Sequence, residues 1–552
     1  MIADIHITEK SFGDKTLMKD VKFSVDDGEK VGVVGRNGVG KSTLFGILSG
    51  KDTDYTGEVI FRRGITVATT AQEHHGLGDQ TVMSYILGGL PEYSKLKKII
   101  DEYPLTMGDN MRKIEEYTQA LERFDQKGFY QVEEKIEREL SKFQLDGYGN
   151  RRISSLSGGQ KRLVEIVKIM HSEAHLALID EPTNHMDYVA KQQFIDWMNS
   201  QPHQAMLIIT HDRDVLGQVD RIVEIKDGQA VSYRGNYDAY LKQNAQATTA
   251  GMNNFEQIEK RIVNLKQKVL DYQRLKEKSR NPGTIQKFKR LENEARSELA
   301  ELSEMEKPTF WIDKESASQL DYKSAERYGK FKSRNIRLSM KDASSRSQHV
   351  LVRAENVAVG IGERILFEDV NIDLREGEAI EIRGRNGAGK TTLIRMILAS
   401  GKSFDGGPVL YSGDIFLDPQ VRIGVYEQEI DERYLSDPLE KAIEKLYMSR
   451  DLSISDTKIR QLLADYLFTD ADRMTPLARL SGGQKARFQI ISMLANDPQL
   501  LVLDEPTNHL DLPSIEELET ALVKYSGAIL YVSHDNYFRE KLGGKVVQIG
   551  AE

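Results

Sequence analysis

The sequence predicts an α/β protein in which two domains of the same fold follow one another and are joined by a pair of helices. Three observations lead to this expectation: an internal repeat, a glycine-rich loop between a strand-like and a helix-like segment in each copy, and a charged helical segment between the copies. A chain of 552 residues allows about three to five domains of roughly 100–200 residues.

Composition narrows the class of protein. Hydrophobic residues make up 39% of the chain and charged residues 29%, a balance typical of soluble proteins with ordinary cores. No apolar run reaches the length of about 18 residues that a membrane-spanning helix needs. Cysteine is absent, which excludes disulfides, iron–sulfur clusters and cysteine–zinc sites.

The sequence also indicates where the protein is located and which partners its charge allows. Residues 1–10 alternate between apolar and polar and do not predict a secretory signal, so we expect a cytoplasmic protein. The net charge of −9 argues against nucleic-acid binding by the whole surface, although a local basic element could still bind it.

Four short motifs occur twice and in the same order. They are GRNGVGKS at 35–42 and GRNGAGKT at 384–391, LSGGQ at 156–160 and 480–484, DEPTNH at 180–185 and 504–509, and Thr/Ser-His-Asp at 210–212 and 533–535. The first copy is about 25 residues longer between its first two motifs, which predicts an inserted helical arm at about 93–145. The apolar stripe of the arm consists of Met111, Ile114, Tyr117, Leu121 and Phe124.

The segment between the copies predicts an antiparallel helical hairpin. Apolar residues recur every three or four positions from Ile258 to Tyr272 and from Ile285 to Met305, on either side of a break at Asn281. We expect about 25 residues in each helix, reaching roughly 40 Å. The predicted domains are therefore 1–244, which includes the arm, 245–347 for the hairpin linker and 348–552.

The hairpin is strongly basic near its turn. The segment from Lys260 to Arg290 contains eleven Lys or Arg residues and only two acidic ones, Asp271 and Glu277, which gives a local charge of +9. Alternatively, these charges only keep the surface of the helices solvated, although a mixture of acidic and basic residues would be enough for that.

The glycine-rich motif G-x-x-x-x-G-K-[ST] indicates a phosphate-binding loop in each copy. It follows strand-like residues 30–34 and 379–383 and precedes helix-like residues 43–48 and 392–398. Its backbone N–H groups would surround the β- and γ-phosphates of a ligand, its lysine would add a charge, and its hydroxyl would hold Mg²⁺. The predicted phosphate-binding residues are Gly35, Asn37, Gly38, Gly40, Lys41, Ser42 and Thr43, and Gly384, Asn386, Gly387, Gly389, Lys390, Thr391 and Thr392.

Two apolar runs, 176–181 and 500–505, each end in two carboxylates, as buried parallel strands do when they reach a ligand. We expect Asp180 and Asp504 to hold Mg²⁺ through water, and Glu181 and Glu505 to act as the general base for the attacking water. His211 and His534 follow further apolar runs, where each could orient that water.

The Ser-Gly-Gly-Gln motifs precede helical sequence and offer a helix N-terminus to an anion. The residues concerned are Ser157, Gly158, Gly159 and Gln160, and Ser481, Gly482, Gly483 and Gln484.

In this order, the motifs resemble those of the ATP-binding cassette (ABC) ATPases. The resemblance implies two tandem ABC-type P-loop NTPase domains that pair head to tail, so that ATP on Lys41 faces Ser481 and ATP on Lys390 faces Ser157. The Mg²⁺ ligands would be Ser42, Gln72 and Asp180, and Thr391, Gln428 and Asp504. Phe12 could stack on adenine, whereas the equivalent position in the second copy is Ile361.

Three features resemble the ABC-F branch: the charged hairpin, the arm, and the tyrosine-rich run at 233–240. The resemblance implies a monomeric ATPase that enters the exit-tRNA site of the ribosome when its halves close on ATP, with no stable membrane partner. Residues 307–341 resemble antibiotic-protection members, and we leave open a translation factor and a resistance protein. The residues expected to contact rRNA or tRNA are Lys266, Lys268, Arg274, Lys276, Lys278, Arg280, Lys287, Lys289 and Arg290.

Two other classes of function remain. One is the ATPase subunit of a transporter with a separate permease, which would not need a basic hairpin. The other is a DNA-acting ABC ATPase without zinc, because a basic helical pair also suits a duplex backbone.

Overall fold

The computed structural model describes residues 1–12, 15–70, 79–106, 108, 110–184, 186–303, 305, 307–318, 320, 322–338, 349–402, 407–427 and 430–550. Gln72 and Gln428 lie outside these residues. The chain forms two compact units, one of Met1–Tyr237 with Ile336–Glu552 and one of Asp238–Asn335. We call 1–237 the first lobe, 336–552 the second lobe and 238–335 the linker unit.

The first lobe contains nine strands and eight helices among the described residues. The strands are β1 (Ala3–Phe12), β2 (Lys15–Val25), β3 (Lys30–Gly35), β4 (Thr56–Phe61), β5 (Val67–Thr69), β6 (Leu176–Asp180), β7 (Ala205–Ile209), β8 (Arg221–Lys226) and β9 (Gln229–Arg234). The helices are α1 (Lys41–Leu48), α2 (Val82–Leu87), α3 (Tyr93–Thr106), α4 (Met111–Gln126), α5 (Val132–Lys142), α6 (Gly158–His171), α7 (Tyr188–Asn199) and α8 (Arg213–Leu216).

The central sheet of the first lobe has the strand order β5-β6-β7-β3-β8-β9, and only the β8–β9 pair is antiparallel. Every residue of β6 and β7 is buried, as expected of continuous apolar runs covered on both faces. The antiparallel sheet β2-β1-β4 shares a core with the central sheet, in which Ile5 and Val21 join Val31 and Leu178. The carboxyl ends of β3, β6 and β7 therefore meet at one edge.

The arm of the first lobe consists of α3, α4 and α5. Arg123 of α4 donates to Glu92 at the start of α3 over 2.9 Å, and Tyr103 donates to Glu116 over 3.0 Å, which shows that α3 and α4 run antiparallel. Phe124 is buried, whereas Met111 is 77% exposed. The apolar stripe expected on α4 is thus buried only toward its carboxyl end.

The linker unit begins with a helix much longer than expected. Its helices are α9 (Tyr237–Lys278), α10 (Pro282–Ser303), α11 (Lys314–Ser318) and α12 (Tyr322–Phe331). α9 has 42 residues where about 25 were expected, because residues 237–257 contain no proline and are rich in helix-forming side chains. Gly251 allows Phe310 to approach, since a Cβ there would lie 2.6 Å from that ring.

Contacts between α9 and α10 show an antiparallel hairpin. Arg261 donates to Glu298 over 2.7 Å, and nearer the turn Lys276 donates to Glu292 over 2.6 Å. Asn281 caps α10, because its side-chain oxygen accepts from the Gly283 N–H at 2.9 Å.

The second lobe repeats the two-sheet architecture. Its strands are β10 (Val350–Ile361), β11 (Arg364–Arg375), β12 (Ala379–Arg383), β13 (Pro408–Leu417), β14 (Ile423–Tyr426), β15 (Leu500–Asp504), β16 (Ala528–Val532) and β17 (Lys545–Gln548). Its helices are α13 (Lys390–Leu398), α14 (Glu432–Leu435), α15 (Leu439–Met448), α16 (Asp456–Asp465), α17 (Asp470–Arg473), α18 (Gly482–Leu494), α19 (Leu512–Lys524) and α20 (Asn536–Leu542).

The central sheet of the second lobe has the order β14-β15-β16-β12-β17, and an antiparallel sheet β11-β10-β13 packs beside it. The prediction of two tandem α/β domains joined by a helical hairpin is therefore confirmed. Among the described residues, no helix is long and apolar enough to span a membrane.

Candidate active site

Each phosphate-binding loop ends in a lysine whose ammonium bonds to its own loop. Lys41 Nζ donates to the carbonyl oxygen of Gly35 at 2.6 Å, and Lys390 Nζ donates to that of Gly384 at 2.9 Å. The helix that follows starts at a glycine with φ 106° in the first lobe and 99° in the second, a backbone conformation that favours glycine. Burial lowers the pKa of both lysines, although Glu181 and Glu505 oppose the shift.

A hydroxyl and a carboxylate meet beyond each lysine. Ser42 Oγ donates to Asp180 Oδ2 over 3.2 Å, and Thr391 Oγ1 donates to Asp504 Oδ2 over 2.8 Å. The buried Asp504 Oδ1 has no hydrogen-bond partner among the described residues. Oxygen ligands of this kind suit Mg²⁺, which coordinates one or two protein groups together with water and substrate phosphates.

Glu181 and Glu505 lie where the central strands end, and His211 and His534 lie beside them; we call these two the switch histidines. His211 Nε2 lies 3.5 Å from Glu181 Oε1, and His534 Nε2 lies 3.3 Å from Glu505 Oε1. Both glutamates have positive φ, 46° and 51°, which is uncommon for residues with a side chain. Such strained backbone often occurs at functional sites.

The electrostatics of these pairs are set by burial. Burial and the neighbouring Asp180 raise the pKa of Glu181 to about 8. Burial and Lys41 lower the pKa of His211 to about 3, and burial and Lys390 lower that of His534 to about 3. Both imidazoles are therefore neutral at pH 7, and Glu181 has the high pKa that suits a group taking a proton near neutral pH.

The Ser-Gly-Gly-Gln motifs form the N-termini of α6 and α18. Ser157 and Ser481 are the N-cap residues, and each forms a capping box with the glutamine three positions on, Gln160 or Gln484. Both helices exceed ten residues and present the positive end of the helix dipole.

The two lobes contact each other through their phosphate loops. The Asn37 N–H donates to Asp511 Oδ2 at 3.2 Å, and the Asn386 N–H donates to Asp187 Oδ2 at 3.0 Å. Asn37 Nδ2 also donates to the carbonyl oxygen of His509 at 2.9 Å. The same contact thus occurs twice, once in each direction.

Asp187 and Asp511 were not predicted as site residues. They cap α7 and α19, and each follows the repeated Asp-Glu-Pro-Thr-Asn-His motif by two positions. Their repetition at that spacing is the signal that could have identified them. Which lobe they contact could not be read from the spacing, because it depends on how the lobes pair.

Predicted residues from both lobes line one cavity of about 910 Å³. Ser157 and Gly158 of the first lobe line it together with Lys390, Glu505 and His534 of the second. The reciprocal residues also meet, because a Cβ on Gly483 would lie 2.1 Å from Asn37 Nδ2. The phosphate loop of each lobe therefore lies near the Ser-Gly-Gly motif of the other.

The two candidate adenine positions differ. Phe12 is 60% exposed, and Lys10 Nζ lies 5.0 Å from its ring centroid. Lys10 itself is buried and donates to Asp52 over 3.0 Å. In the second lobe Ile361 lines the cavity and offers no aromatic face.

Of the nine basic residues of the hairpin predicted to contact RNA, eight are exposed and Lys276 is half-buried. Lys276 binds Glu292, and Arg290 binds Glu294 over 2.8 Å.

Comparison with known proteins places this geometry in a family. The family model described as ABC transporter matches residues 18–184 and 367–508, together more than half of the chain. The chain is also similar to a solved structure of an archaeal ribosome recycling factor in complex with a stalk protein, with a TM-score of 0.58, 16% identity, and coverage of 99% of this chain and 87% of that one. At that identity the likeness shows the fold.

Three curated relatives align along nearly the whole chain. The uncharacterized ABC transporter ATP-binding protein YfmR of Bacillus subtilis is 30% identical over 98% of this chain and 79% of its own length. ABC transporter F family member 2 of Arabidopsis thaliana is 29% identical over 98% and 75%. The ribosome protection protein VmlR of B. subtilis is 27% identical over 96% and 83%. With its paired phosphate loops, strand-end glutamates and tandem lobes, the chain belongs to the ABC-F family of ATP-binding cassette ATPases.

Proposed function

We propose that this ATPase binds the ribosome when its two lobes are closed on ATP, and that it acts on translation through the basic hairpin, which enters the exit-tRNA site. The observation that carries the proposal is the junction of the lobes. Each phosphate loop lies beside the Ser-Gly-Gly motif and the aspartate of the other lobe, so ATP bound there contacts both.

At each site the residues have separate roles. The phosphate loop and its lysine bind the β- and γ-phosphates, and the opposite Ser157 or Ser481 receives the γ-phosphate at a helix N-terminus. Glu181 or Glu505 takes the proton of the attacking water, and the neutral His211 or His534 orients it.

Mg²⁺ would be held by Ser42 with Asp180 and by Thr391 with Asp504, and it would neutralise charge on the phosphates. Hydrolysis removes contacts that only the closed arrangement makes, so the lobes separate and the protein leaves its target. Because both lobes belong to one chain, their effective concentration is about millimolar, and a monomer suffices.

The ribosome is the partner that fits the linker. The exposed basic residues of α9 and α10 suit RNA phosphates, and binding should weaken steeply with salt. The similarity to VmlR, whose name states ribosome protection, supports the same partner. A ribosomal partner also implies a cytoplasmic location.

The test is the double substitution Glu181→Gln with Glu505→Gln. We expect this variant to keep ATP bound, to accumulate on ribosomes in sucrose gradients and to block cell-free protein synthesis. The matched control is Glu58→Gln with Glu432→Gln, two exposed glutamates, which should leave both readouts as in the unmodified protein.

A double variant that sediments alone and leaves synthesis intact would overturn the proposal. Measuring the rate of ATP hydrolysis distinguishes this proposal from a DNA-acting ATPase. Ribosomes should increase the rate, and duplex DNA should not.

A further inference from the structure

A buried cluster of charges joins the two lobes at the cavity that they share. Lys191 of α7 is only 4% exposed. Its ammonium donates to Asp214 Oδ2 at 2.7 Å and lies 3.2 Å from Asp212 Oδ2, both in the first lobe. It also donates to the main-chain carbonyl oxygen of His534 in the second lobe, at 2.8 Å.

Lys191 and Glu505 both form hydrogen bonds with the backbone of His534. The His534 N–H donates to Glu505 Oε2 at 3.1 Å, while its carbonyl accepts from Lys191. The imidazole of His534 lies 3.3 Å from the other oxygen of Glu505. A displacement of the His534 backbone would therefore alter the geometry of the histidine and the glutamate together.

The ammonium persists inside this cluster. Burial alone would lower the pKa of Lys191, but Asp212 and Asp214 more than offset this effect and the pKa is raised. Asn536 of the second lobe also donates to Asp214 Oδ2, at 2.8 Å, so the cluster is tied to that lobe at two points.

Within the part of the chain that the structure describes, the cluster is not repeated at the other ATP site. The residue that corresponds to Lys191 in the repeat of the second lobe is Ile515, which is buried and carries no charge. The residue that corresponds to Asn536 is Arg213, which forms a buried ion pair with Glu519 at 2.8 Å. The two halves of the interface are thus built from different chemistry, although their phosphate-loop contacts are the same.

We propose that Lys191 is a positioning residue for the ATP site built on Lys390. It fixes the backbone of His534 from across the lobe interface, and among the described residues the site built on Lys41 has no such lysine, because Ile515 occupies the corresponding position. The two ATP sites are then unequal, because hydrolysis at the Lys390 site depends on the ammonium of Lys191, which belongs to the first lobe. This inference rests on the proposed roles of Glu505 and His534.

Single-turnover hydrolysis of labelled ATP, with protein in excess, tests the inference one site at a time. In a Glu181→Gln background, hydrolysis comes from the Lys390 site. There we expect Lys191→Met to lower the rate about ten-fold, since small displacements of reacting groups can cost up to about a hundred-fold. Lys191→Arg, which keeps the charge, should restore part of the loss.

The reciprocal background provides the control. In Glu505→Gln protein, where the Lys41 site hydrolyses, we expect Lys191→Met to lower the rate less than about two-fold. Lys524→Met, which removes an exposed lysine from α19, controls for the loss of one positive charge. An equal loss in both backgrounds, or none in the first, would overturn the inference, because a general role in packing affects both sites alike.

Failure of the underlying site assignment gives a different result. If protein carrying both Glu181→Gln and Glu505→Gln still hydrolyses ATP at the unmodified rate, the glutamates are not the bases and the proposed mechanism fails. If that protein is inactive and Lys191→Met has no site-specific effect, only the inference about Lys191 fails.

Discussion

At the scale of single residues, the two strand-end glutamates are fixed by backbone as well as by side chain. The Glu181 N–H donates to the carbonyl of Ile209 at 2.7 Å, and that of Glu505 to Val532 at 3.0 Å. Each bond ties the glutamate to the neighbouring strand, the one that leads to the switch histidine. The positive φ of both residues is therefore held by the sheet itself.

Gly483 is a single position at which the closure of the lobes can be tested. A Cβ there would lie 2.1 Å from Asn37 Nδ2, so we expect Gly483→Ala to displace Asn37 and weaken ATP-dependent closure about ten-fold. Energy transfer between dyes on the two lobes, titrated with ATP, measures the effect.

The comparison for this variant is Gly158→Ala, because a Cβ on Gly158 would meet nothing within 4 Å. We expect a smaller loss of closure for it. Equal losses in the two variants would show that the crowding at Asn37 is not what matters.

Single residues also show what the sequence could predict. Lys41, Asp180 and Glu181 were identified because their chemistry depends on a local pattern of glycines and strand-end acids. Lys191 was not, because its role comes from a contact with a residue 343 positions away. No local pattern distinguishes such a lysine from an ordinary one on a helix.

At the scale of elements, the hairpin depends on Glu292. This carboxylate is 5% exposed and accepts hydrogen bonds from Gln273 and Lys276 of α9 and from Arg296 of its own helix. The bond from Lys276 lowers the pKa of Glu292 below its usual range. The carboxylate therefore joins the two helices near the turn.

We expect Glu292→Gln to increase amide hydrogen exchange in α9 and α10 at pH 7, because the charged bonds are lost. A lowered pKa means that the contribution of Glu292 is present above its unfolded-state pKa and disappears as the pH falls through the lower folded-state value. The difference between the unmodified protein and the variant should thus shrink on acidification.

Glu294→Gln is the matched control, since Glu294 is exposed and bonds only to Arg290 on its own helix among the described contacts. Protection that is unaffected by Glu292→Gln at pH 7 would contradict this role.

The helices and strands also show which element boundaries could be predicted from the sequence and which could not. The start of α10 was marked by Asn281 and Pro282, and strands such as β6 and β15 by their apolar runs. The start of α9 was not marked, because its buried positions Tyr237, Tyr240, Asn244, Thr248 and Met252 have helical spacing but include two polar residues. Helix propensity extended the helix to Tyr237 without a continuous apolar pattern.

At the scale of the whole molecule, charge on the linker unit should decide ribosome binding. We expect substitution of Lys278, Arg280, Lys287 and Lys289 by serine to reduce co-sedimentation with ribosomes. The slope of log affinity against log salt should become shallower by about 0.7–0.9 for each RNA phosphate that the variant no longer neutralises.

The control for this variant neutralises four exposed basic residues on the lobes, Lys51, Arg63, Lys95 and Lys402. ATP hydrolysis without ribosomes should be similar in both variants. Equal losses of ribosome binding would show that net charge, rather than the hairpin, is responsible.

The hydrogen bonds that Asp187 and Asp511 accept from the opposite phosphate loops have a consequence for exchanging one half of the chain with that of a relative. Each half supplies the aspartate that accepts a hydrogen bond from the other half's phosphate loop, so a half taken from a relative must place its aspartate against a loop that it did not evolve with. Chimeras that exchange one half alone should fail more often than those that exchange both. A substitution that moves the phosphate loop of one half should require a compensating substitution near the aspartate of the other half.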